Sequence, residues 1–268
     1  MKKENAFFWP RLFYGSLPKQ ERKLIPVGLV KELQQANQHL WRALNIYDDF
    51  LDGTGVARRL SVANDHFRKF LEIYYRRNLP ADFYLLFDRV LADLDKANRQ
   101  EALNQSGGHR QKLFLKDLSK KSLALGLGPL AIIASEGKKM TDRQARATLD
   151  FFRYALAAKQ LSDDARDWQE DLEAGKITVA NAPIDKALKQ LKKNSKPVDD
   201  NLRINLLFAQ KAAPKLINNI GRLTKLARYE IKKAGLAESN PLADSILSPL
   251  ETGVEEAGSF LRLLRQTH

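Results

Sequence analysis

The sequence contains no cysteine among its 268 residues. Disulfide bonds, thiolate metal sites and cysteine nucleophiles are therefore excluded. The absence of cysteine fits a reducing compartment, so the expected location is the cytoplasm. Histidine is almost as scarce, because only four are present, scattered along the chain. Their spacing does not predict a zinc site.

Long apolar runs and strand patterns are missing too. No stretch approaches the ~20 apolar residues of a membrane-spanning helix. The N-terminal residues are too interrupted by polar side chains for a signal peptide. Strict alternation of apolar and polar residues, which indicates a half-buried strand, does not occur. The P-loop, the dinucleotide-binding fingerprint and the serine-nucleophile motif are also missing.

Helical periodicity is what the sequence does contain. Apolar residues recur at steps of three and four, as in Leu85, Leu86, Val90, Leu91 and Leu94. The pattern predicts an all-α bundle that forms a single domain over residues 1–268. The first helix is expected to stop at Gly53. The predicted helices span residues 27–50, 62–77, 81–104, 110–135, 141–173, 199–234 and 241–265, with turns at 181–183 and 194–197.

Positive charge is concentrated in the C-terminal part. The net charge is +13, and residues 186–233 contain 13 basic and 3 acidic side chains. The C-terminal helices, about 186–265, therefore predict a basic face for a phosphorylated ligand or an anionic membrane. No nucleic-acid-binding motif is visible, so nucleic acid is not an expected partner.

Two acidic clusters are the main candidates for a functional site. The first cluster is Asp48, Asp49 and Asp52, of which Asp48 and Asp52 share one helix face. The second cluster is Asp163, Asp164, Asp167, Glu170 and Asp171. Three of its members recur at four-residue steps and predict a carboxylate stripe.

Like charges at this spacing repel each other, and a bound divalent cation would reverse that effect. Magnesium prefers oxygen ligands and is held by one or two carboxylates together with phosphate oxygens. The two clusters therefore predict a magnesium-bridged diphosphate site. The alternative is a pair of solvated helix faces balanced by arginine and lysine. Both clusters are embedded in apolar sequence, which favours the site.

The first cluster also resembles a known motif. Asp48-Asp49-Phe50-Leu51-Asp52 is similar to the first DDxxD motif of the class I isoprenoid synthases, the superfamily of trans-prenyltransferases and squalene/phytoene synthases. Arg58-Arg59 resembles the arginine pair that follows it, with a spacer one residue longer.

The second cluster resembles both branches of that superfamily. The string 160–177 is similar to the squalene/phytoene pattern NxxRDxxEDxxxGR, with Asp163 in place of the asparagine and Lys176 in place of the last arginine. It also resembles the prenyltransferase form of the second motif, in which Asp163, Asp164 and Asp167 would be the DDxxD aspartates. Lys121-Ser122 is similar to the prenyltransferase Lys-Thr pair. A Gly-Gly-Lys-Arg element for isopentenyl diphosphate is absent, and the resemblance covers about residues 7–180.

The resemblance implies a helical bundle with a central apolar cavity and two or three Mg²⁺ ions bound through the diphosphate. The implied catalytic residues are Asp48, Asp52, Asp163 and Asp167. The implied metal ligands are Asp48, Asp49, Asp52, Asp163, Asp164, Asp167 and Asp171. The implied diphosphate-binding residues are Arg58, Arg59, Lys121, Arg166 and Lys176.

Several of these residues also have structural interpretations. Arg166 could instead form a salt bridge with Glu170, and Lys121 could lie on the surface. The apolar run 123–133 either lines a channel for the prenyl tail or packs in the core.

Three functions remain open at this point. The first is prenyl transfer, by head-to-head condensation of two allylic diphosphates or by chain extension. The second is terpene cyclisation of one diphosphate, to which Arg228-Tyr229 is a short matching feature. The third is a non-catalytic basic helical protein that binds an anionic membrane or nucleic acid. A prenyl diphosphate substrate, peripheral contact with the inner face of a membrane, and a homodimer are the expected partners.

Overall fold

The computed structural model of the chain describes residues 3–105, 115–193 and 212–266. These ranges form α-helices, short 3₁₀ turns and connecting loops, and no β-strand occurs in them. The predicted all-α fold is confirmed. The helices are α1 (Trp9–Ser16), α2 (Lys19–Leu24), α3 (Val27–Leu51), α4 (Leu60–Tyr75), α5 (Ala81–Gln105), α6 (Leu127–Ser135), α7 (Arg143–Arg166), α8 (Trp168–Glu173), α9 (Ala182–Lys193), α10 (Ala212–Lys233) and α11 (Pro241–Gln266).

The predicted helix over residues 110–135 is wrong for residues 115–126. Residues 110–114 lie outside the described ranges, and two 3₁₀ turns, Leu115–Asp117 and Leu123–Gly126, precede α6. Glycine has a low helix propensity. A Cβ added at Gly126 would also come within 2.8 Å of the Phe152 ring, so this segment passes close to α7. The apolar periodicity of the segment reflects its burial and not a continuous helix.

Two other elements differ from the sequence-based expectation. The predicted helix over 141–173 is two helices, α7 and α8. Helix α9 was not predicted, because it lies between two turn signals. The predicted turn at 194–197 and the first part of the predicted helix over 199–234 lie outside the described residues, and α10 begins at Ala212.

Helix α6 lies at the centre of the bundle. Its residues from Leu127 to Ala134 are all buried, as expected for a helix that is apolar on every side. It packs against α1, α3, α5 and α7. Helices α3 and α7 are therefore both supported by the same buried helix.

The two long helices also have separate partners. Helix α3 packs along α4, and α7 packs along α10. Within the described ranges, no helix combines the length and the hydropathy that crossing a bilayer requires.

A pair of histidines lies where α3 meets α4. The Nδ1 atoms of His39 and His66 are 2.9 Å apart, and burial lowers the pKa of both side chains. The spacing of the histidines along the sequence does not predict this contact. The two residues are 27 positions apart in the sequence and come together because α3 and α4 pack against each other.

Candidate active site

The first acidic cluster occupies the last turn of α3 and the residue after it. This helix ends in a Schellman motif, in which Gly53 has φ +74°. The Gly53 N–H donates to the Phe50 carbonyl at 3.1 Å, and the Thr54 N–H donates to the Asp49 carbonyl at 2.9 Å. Glycine takes the left-handed conformation without the penalty of a Cβ atom. The expected stop at Gly53 is confirmed.

The second acidic cluster ends in the same way. Gly175 has φ +74° after α8. Its N–H donates to the Leu172 carbonyl at 3.1 Å, and the Lys176 N–H donates to the Asp171 carbonyl at 2.7 Å. The turn thus directs the chain back and brings Lys176 next to the carboxylates that precede it.

The predicted carboxylate stripe spans a break between α7 and α8. Asp167 is the residue at the break, with φ −95° and ψ 10°. Its N–H still donates to the Asp163 carbonyl at 3.0 Å, and the Asp171 N–H donates to the Asp167 carbonyl at 2.9 Å. Helical hydrogen bonding therefore continues through the break, and the four-residue spacing is kept.

The first cluster lies at the C-terminus of α3, and Asp163 and Asp164 lie in the last turns of α7. The helix dipole is negative there and disfavours carboxylates. The last turn of α3 contains no basic residue. This arrangement requires cations from elsewhere, and two lysines from distant parts of the chain provide them.

Lys121 is the first of these lysines. Its Nζ lies 2.8 Å from Asp48 Oδ1 and 2.6 Å from Glu101 Oε2. Its side chain is only 24% exposed, so the structure does not support the interpretation of Lys121 as a surface residue. Burial by itself lowers the pKa of Lys121, but the charges of Asp48 and Glu101 outweigh burial and raise it.

Lys176 is the second lysine, and it reaches the first cluster from the end of the second. Its Nζ lies 3.0 Å from Asp52 Oδ1, 3.7 Å from Glu101 Oε1 and 3.9 Å from Asp171 Oδ1. Burial lowers the pKa of Lys176, whereas Asp52, Glu101 and Asp171 raise it, and the net direction is upward. Lys176 and Asp52 are 124 positions apart in the sequence. Their contact brings the end of the second cluster next to the first.

Glu101 on α5 is the residue that sequence reasoning missed. It contacts both lysines, and its side chain is 21% exposed. It has no acidic neighbour at helical spacing, so neither a motif nor a charge cluster marks it. Its role is visible only when α5 lies beside the ends of α3 and α8.

Burial disfavours the charged form of several carboxylates of the site. Burial raises the pKa of Asp48, although Lys121 opposes the shift. Burial also raises the pKa of Asp171, and the charge of Asp167 adds to it. Burial raises the pKa of Asp164 to about 6, even though its Oδ1 accepts a hydrogen bond from Gln160 Nε2 at 2.8 Å.

The predicted arginines lie at the exposed edge of the site. Arg59 Nη1 is 3.0 Å from Asp49 Oδ2, and both side chains are about half exposed. Arg58 is exposed in the same 3₁₀ turn. Arg166 is 67% exposed, and the ion pair it forms is with Asp163 at 3.6 Å and not with Glu170.

The oxygen-rich donor set fits magnesium when the ligand supplies further oxygens. Among the described residues, no three histidine, aspartate or glutamate side chains form a metal-binding group by themselves. Magnesium is typically held by one or two carboxylates plus substrate phosphate oxygens. Three carboxylates are paired with the two lysines: Asp48 with Lys121, and Asp52 and Asp171 with Lys176.

An apolar cleft of about 350 Å³ lies beside the first cluster, between α3, α4 and α5. It is lined by Tyr47, Phe50, Leu51, Phe67, Leu94, Asp95 and Asn98. Of the two alternatives for the run 123–133, the structure agrees with core packing, because these residues are buried. A Cβ at Gly128 would come within 2.6 Å of Pro10, so this glycine allows close packing of α6 on α1.

Arg228 is committed to a different set of contacts. Its guanidinium donates to Glu251 at 2.8 and 3.0 Å and to Asp244 at 2.6 Å. Each of its nitrogens therefore has a partner on α11 or in the loop before it. The match of Arg228-Tyr229 to a diphosphate-binding pair has no support from this geometry.

Comparison with known proteins agrees with the fold. No protein-family model matches the chain, and no curated protein sequence is significantly similar to it. Among solved structures, a geranylgeranyl pyrophosphate synthetase from the archaeon Geoglobus acetivorans superposes with a TM-score of 0.61 and 14% identity, over 95% of this chain and 93% of that one. A geranylgeranyl pyrophosphate synthetase from Pyrococcus horikoshii superposes with a TM-score of 0.58 and 15% identity, over 96% and 85%. The protein therefore has the all-α fold of the class I isoprenoid synthases.

Proposed function

We propose that the protein is a magnesium-dependent prenyltransferase, which ionises an allylic prenyl diphosphate and transfers the prenyl group to an acceptor. The observation that supports this proposal most directly is the meeting of the two acidic helix ends around Lys121 and Lys176. Carboxylates for a metal and ammonium groups for phosphate oxygens then face one small volume. The fold similarity to two geranylgeranyl pyrophosphate synthetases is independent support.

Each group has a distinct task in this reaction. When bound, magnesium would neutralise charge on the departing diphosphate. Asp48, Asp52 and the aspartates of the second cluster would hold it. The ammonium groups of Lys121 and Lys176 would donate to the diphosphate oxygens as the C–O bond breaks, which stabilises the charge that develops there.

The prenyl tail needs an apolar surface that adjoins the diphosphate site. The cleft lined by Phe50, Leu51 and Phe67 is next to Asp48 and Asp52, and its volume of about 350 Å³ is within the range of ligand pockets. Its aromatic faces would also favour an allylic cation. We assign the tail to this cleft.

Two acceptors have support. The string 160–177 favours a second allylic diphosphate, and the names of the two structural neighbours favour chain extension with isopentenyl diphosphate. Cyclisation has less support, because Arg228 is held by two carboxylates. Peripheral contact with an anionic membrane and a homodimer stay predictions.

The test is incubation of the purified protein with magnesium and farnesyl or geranylgeranyl diphosphate, with and without isopentenyl diphosphate. Pyrophosphate release and extracted hydrocarbon are measured together. A product of doubled length identifies head-to-head condensation, and elongation only with isopentenyl diphosphate identifies chain extension. A cyclised product identifies a cyclase, and no turnover with any substrate contradicts the enzymatic proposal.

The site assignment has its own control. Asp48→Asn and Asp52→Asn each remove a carboxylate from the site, and we expect turnover to fall by several orders of magnitude with little change in the circular dichroism spectrum. Asp93→Asn removes a carboxylate from the surface of α5 and is expected to leave turnover unchanged. Equal pyrophosphate release by all three variants would contradict the assignment.

A further inference from the structure

We propose that Glu101 is a positioning residue that holds the ammonium groups of Lys121 and Lys176 together, so that both donate to one diphosphate. The proposal rests on the proposed function. It adds a residue that belongs to neither acidic cluster and that lies on a third helix, α5.

The geometry of the carboxylate is the first argument. Glu101 Oε2 lies 2.6 Å from Lys121 Nζ, and Glu101 Oε1 lies 3.7 Å from Lys176 Nζ. Each oxygen thus faces a different lysine. Because the side chain is largely buried, water and salt screen these ion pairs less than they screen pairs on the surface.

The origin of the two lysines is the second argument. Lys121 lies in the turn before the 3₁₀ segment Leu123–Gly126, and Lys176 follows the Schellman motif after α8. No shared helix sets the distance between them. Two ammonium groups that converge on one point repel each other, and a carboxylate between them removes most of that repulsion.

The competing demand on the aspartates is the third argument. Lys121 also pairs with Asp48, and Lys176 also pairs with Asp52 and Asp171. The proposed function gives these three aspartates to magnesium. Glu101 is then the carboxylate that keeps the lysines in place while the aspartates bind the metal.

This logic sets the sign of a substitution. Glu101→Gln preserves size and removes the charge, so each lysine depends more strongly on its aspartate partners. The lysines then compete with magnesium for the same oxygens. We expect the Kd for magnesium pyrophosphate to rise by about tenfold, the effect of one lost charge-assisted contact.

The experiment measures the lysines and the ligand separately, on the full chain. Trace acetylation followed by mass spectrometry reports the reactivity of each lysine amine without metal or ligand. Isothermal titration with magnesium pyrophosphate reports the Kd. The matched control is Asp93→Asn, because Asp93 lies on the same helix and faces Lys120, the neighbour of Lys121, at 4.0 Å.

The expected result is higher reactivity of both Lys121 and Lys176 in Glu101→Gln, together with weaker binding, and neither change in Asp93→Asn. Glu101→Asp keeps the charge on a shorter side chain and is expected to restore part of both properties. It also serves as the test variant if Glu101→Gln does not fold.

Other results overturn the proposal in distinguishable ways. Unchanged lysine reactivity would show that Glu101 does not hold the ammonium groups. Unchanged or tighter binding of magnesium pyrophosphate in Glu101→Gln would show that Glu101 only opposes the anion. A third result is possible, in which both lysines become more reactive in Glu101→Gln but the unmodified protein does not bind magnesium pyrophosphate. This result would overturn the proposed function, and with it the role of Glu101 in that function.

Discussion

The Schellman motif after α8 allows a quantitative test of how Lys176 is placed. Gly175→Ala puts a Cβ on a residue with φ +74°. No atom lies within 4 Å of that Cβ, so the expected cost is conformational and not steric. A left-handed conformation costs an L-residue about 1–2 kcal/mol, of which the lower entropy of the unfolded alanine variant offsets a part. We expect a net loss of about 1 kcal/mol in the free energy of unfolding, or about 2–4 °C in Tm.

The same substitution should also affect the site. Relaxation of the strained turn moves Lys176 away from Asp52 and Asp171. Loss of a charge-assisted contact of about 1.5 kcal/mol corresponds to a Kd for magnesium pyrophosphate about tenfold higher. Thermal unfolding and isothermal titration of the same preparation measure the two effects.

Gly235→Ala is the matched control. Gly235 has φ +84° with no atom within 4 Å of an added Cβ, and it ends α10 with the same pair of hydrogen bonds. We expect a similar loss of stability and no change in affinity. Equal loss of affinity in both variants, or wild-type affinity in Gly175→Ala, would refute the reasoning.

Three further predictions concern charge, pH and metal. Lys121→Gln should lower kcat/KM by about 10- to 100-fold. Lys120→Gln alters a lysine paired with Asp117 and should change kcat/KM little. Steady-state kinetics measure both variants, and equal effects would contradict the assignment of Lys121. The lowered pKa values of His39 and His66 mean that the unfolded chain binds protons that the folded protein does not. The free energy of unfolding should therefore decrease as the pH falls through about 6.5. His39→Gln should reduce this pH dependence, which urea titrations at about pH 7.5 and about pH 5.5 measure. An unaltered pH dependence in the variant would exclude the histidine pair as its source. Removal of magnesium by EDTA should abolish pyrophosphate release, with recovery on adding Mg²⁺ back, and persistent release would contradict the metal requirement.

The parts of the fold that the sequence predicted are those where one face of a helix is apolar over many turns. Helices α3 and α5 begin and end within a residue or two of the prediction. The segment before α6 was predicted as helix because burial there produces the same apolar spacing. The segment passes close to Phe152 at Gly126, and this contact is not visible in a local pattern.

The candidate site was predictable only in part for a similar reason. The aspartates form dense local clusters, and a resemblance to known motifs identified them. Glu101 belongs to no cluster, and its partners are 20 and 75 positions away. Arg228 and Tyr229 together match a short feature of terpene cyclases in the sequence. The salt bridges of Arg228 with Asp244 and Glu251 argue against a role in diphosphate binding, and they are not visible in the sequence.

The position of α6 has a consequence for substitutions in the core of this protein. The ends of α3 and α7 are where the acidic clusters lie, and both helices rest on this one buried helix. Small residues of α6 such as Ala131 and Ala134 are buried, so we expect the width of the gap between the clusters to depend on their volume. Because a packed interior transmits strain, a larger side chain in α6 would separate the carboxylates without touching any of them. Affinity for a ligand that bridges the gap is in this sense a property of the hydrophobic core.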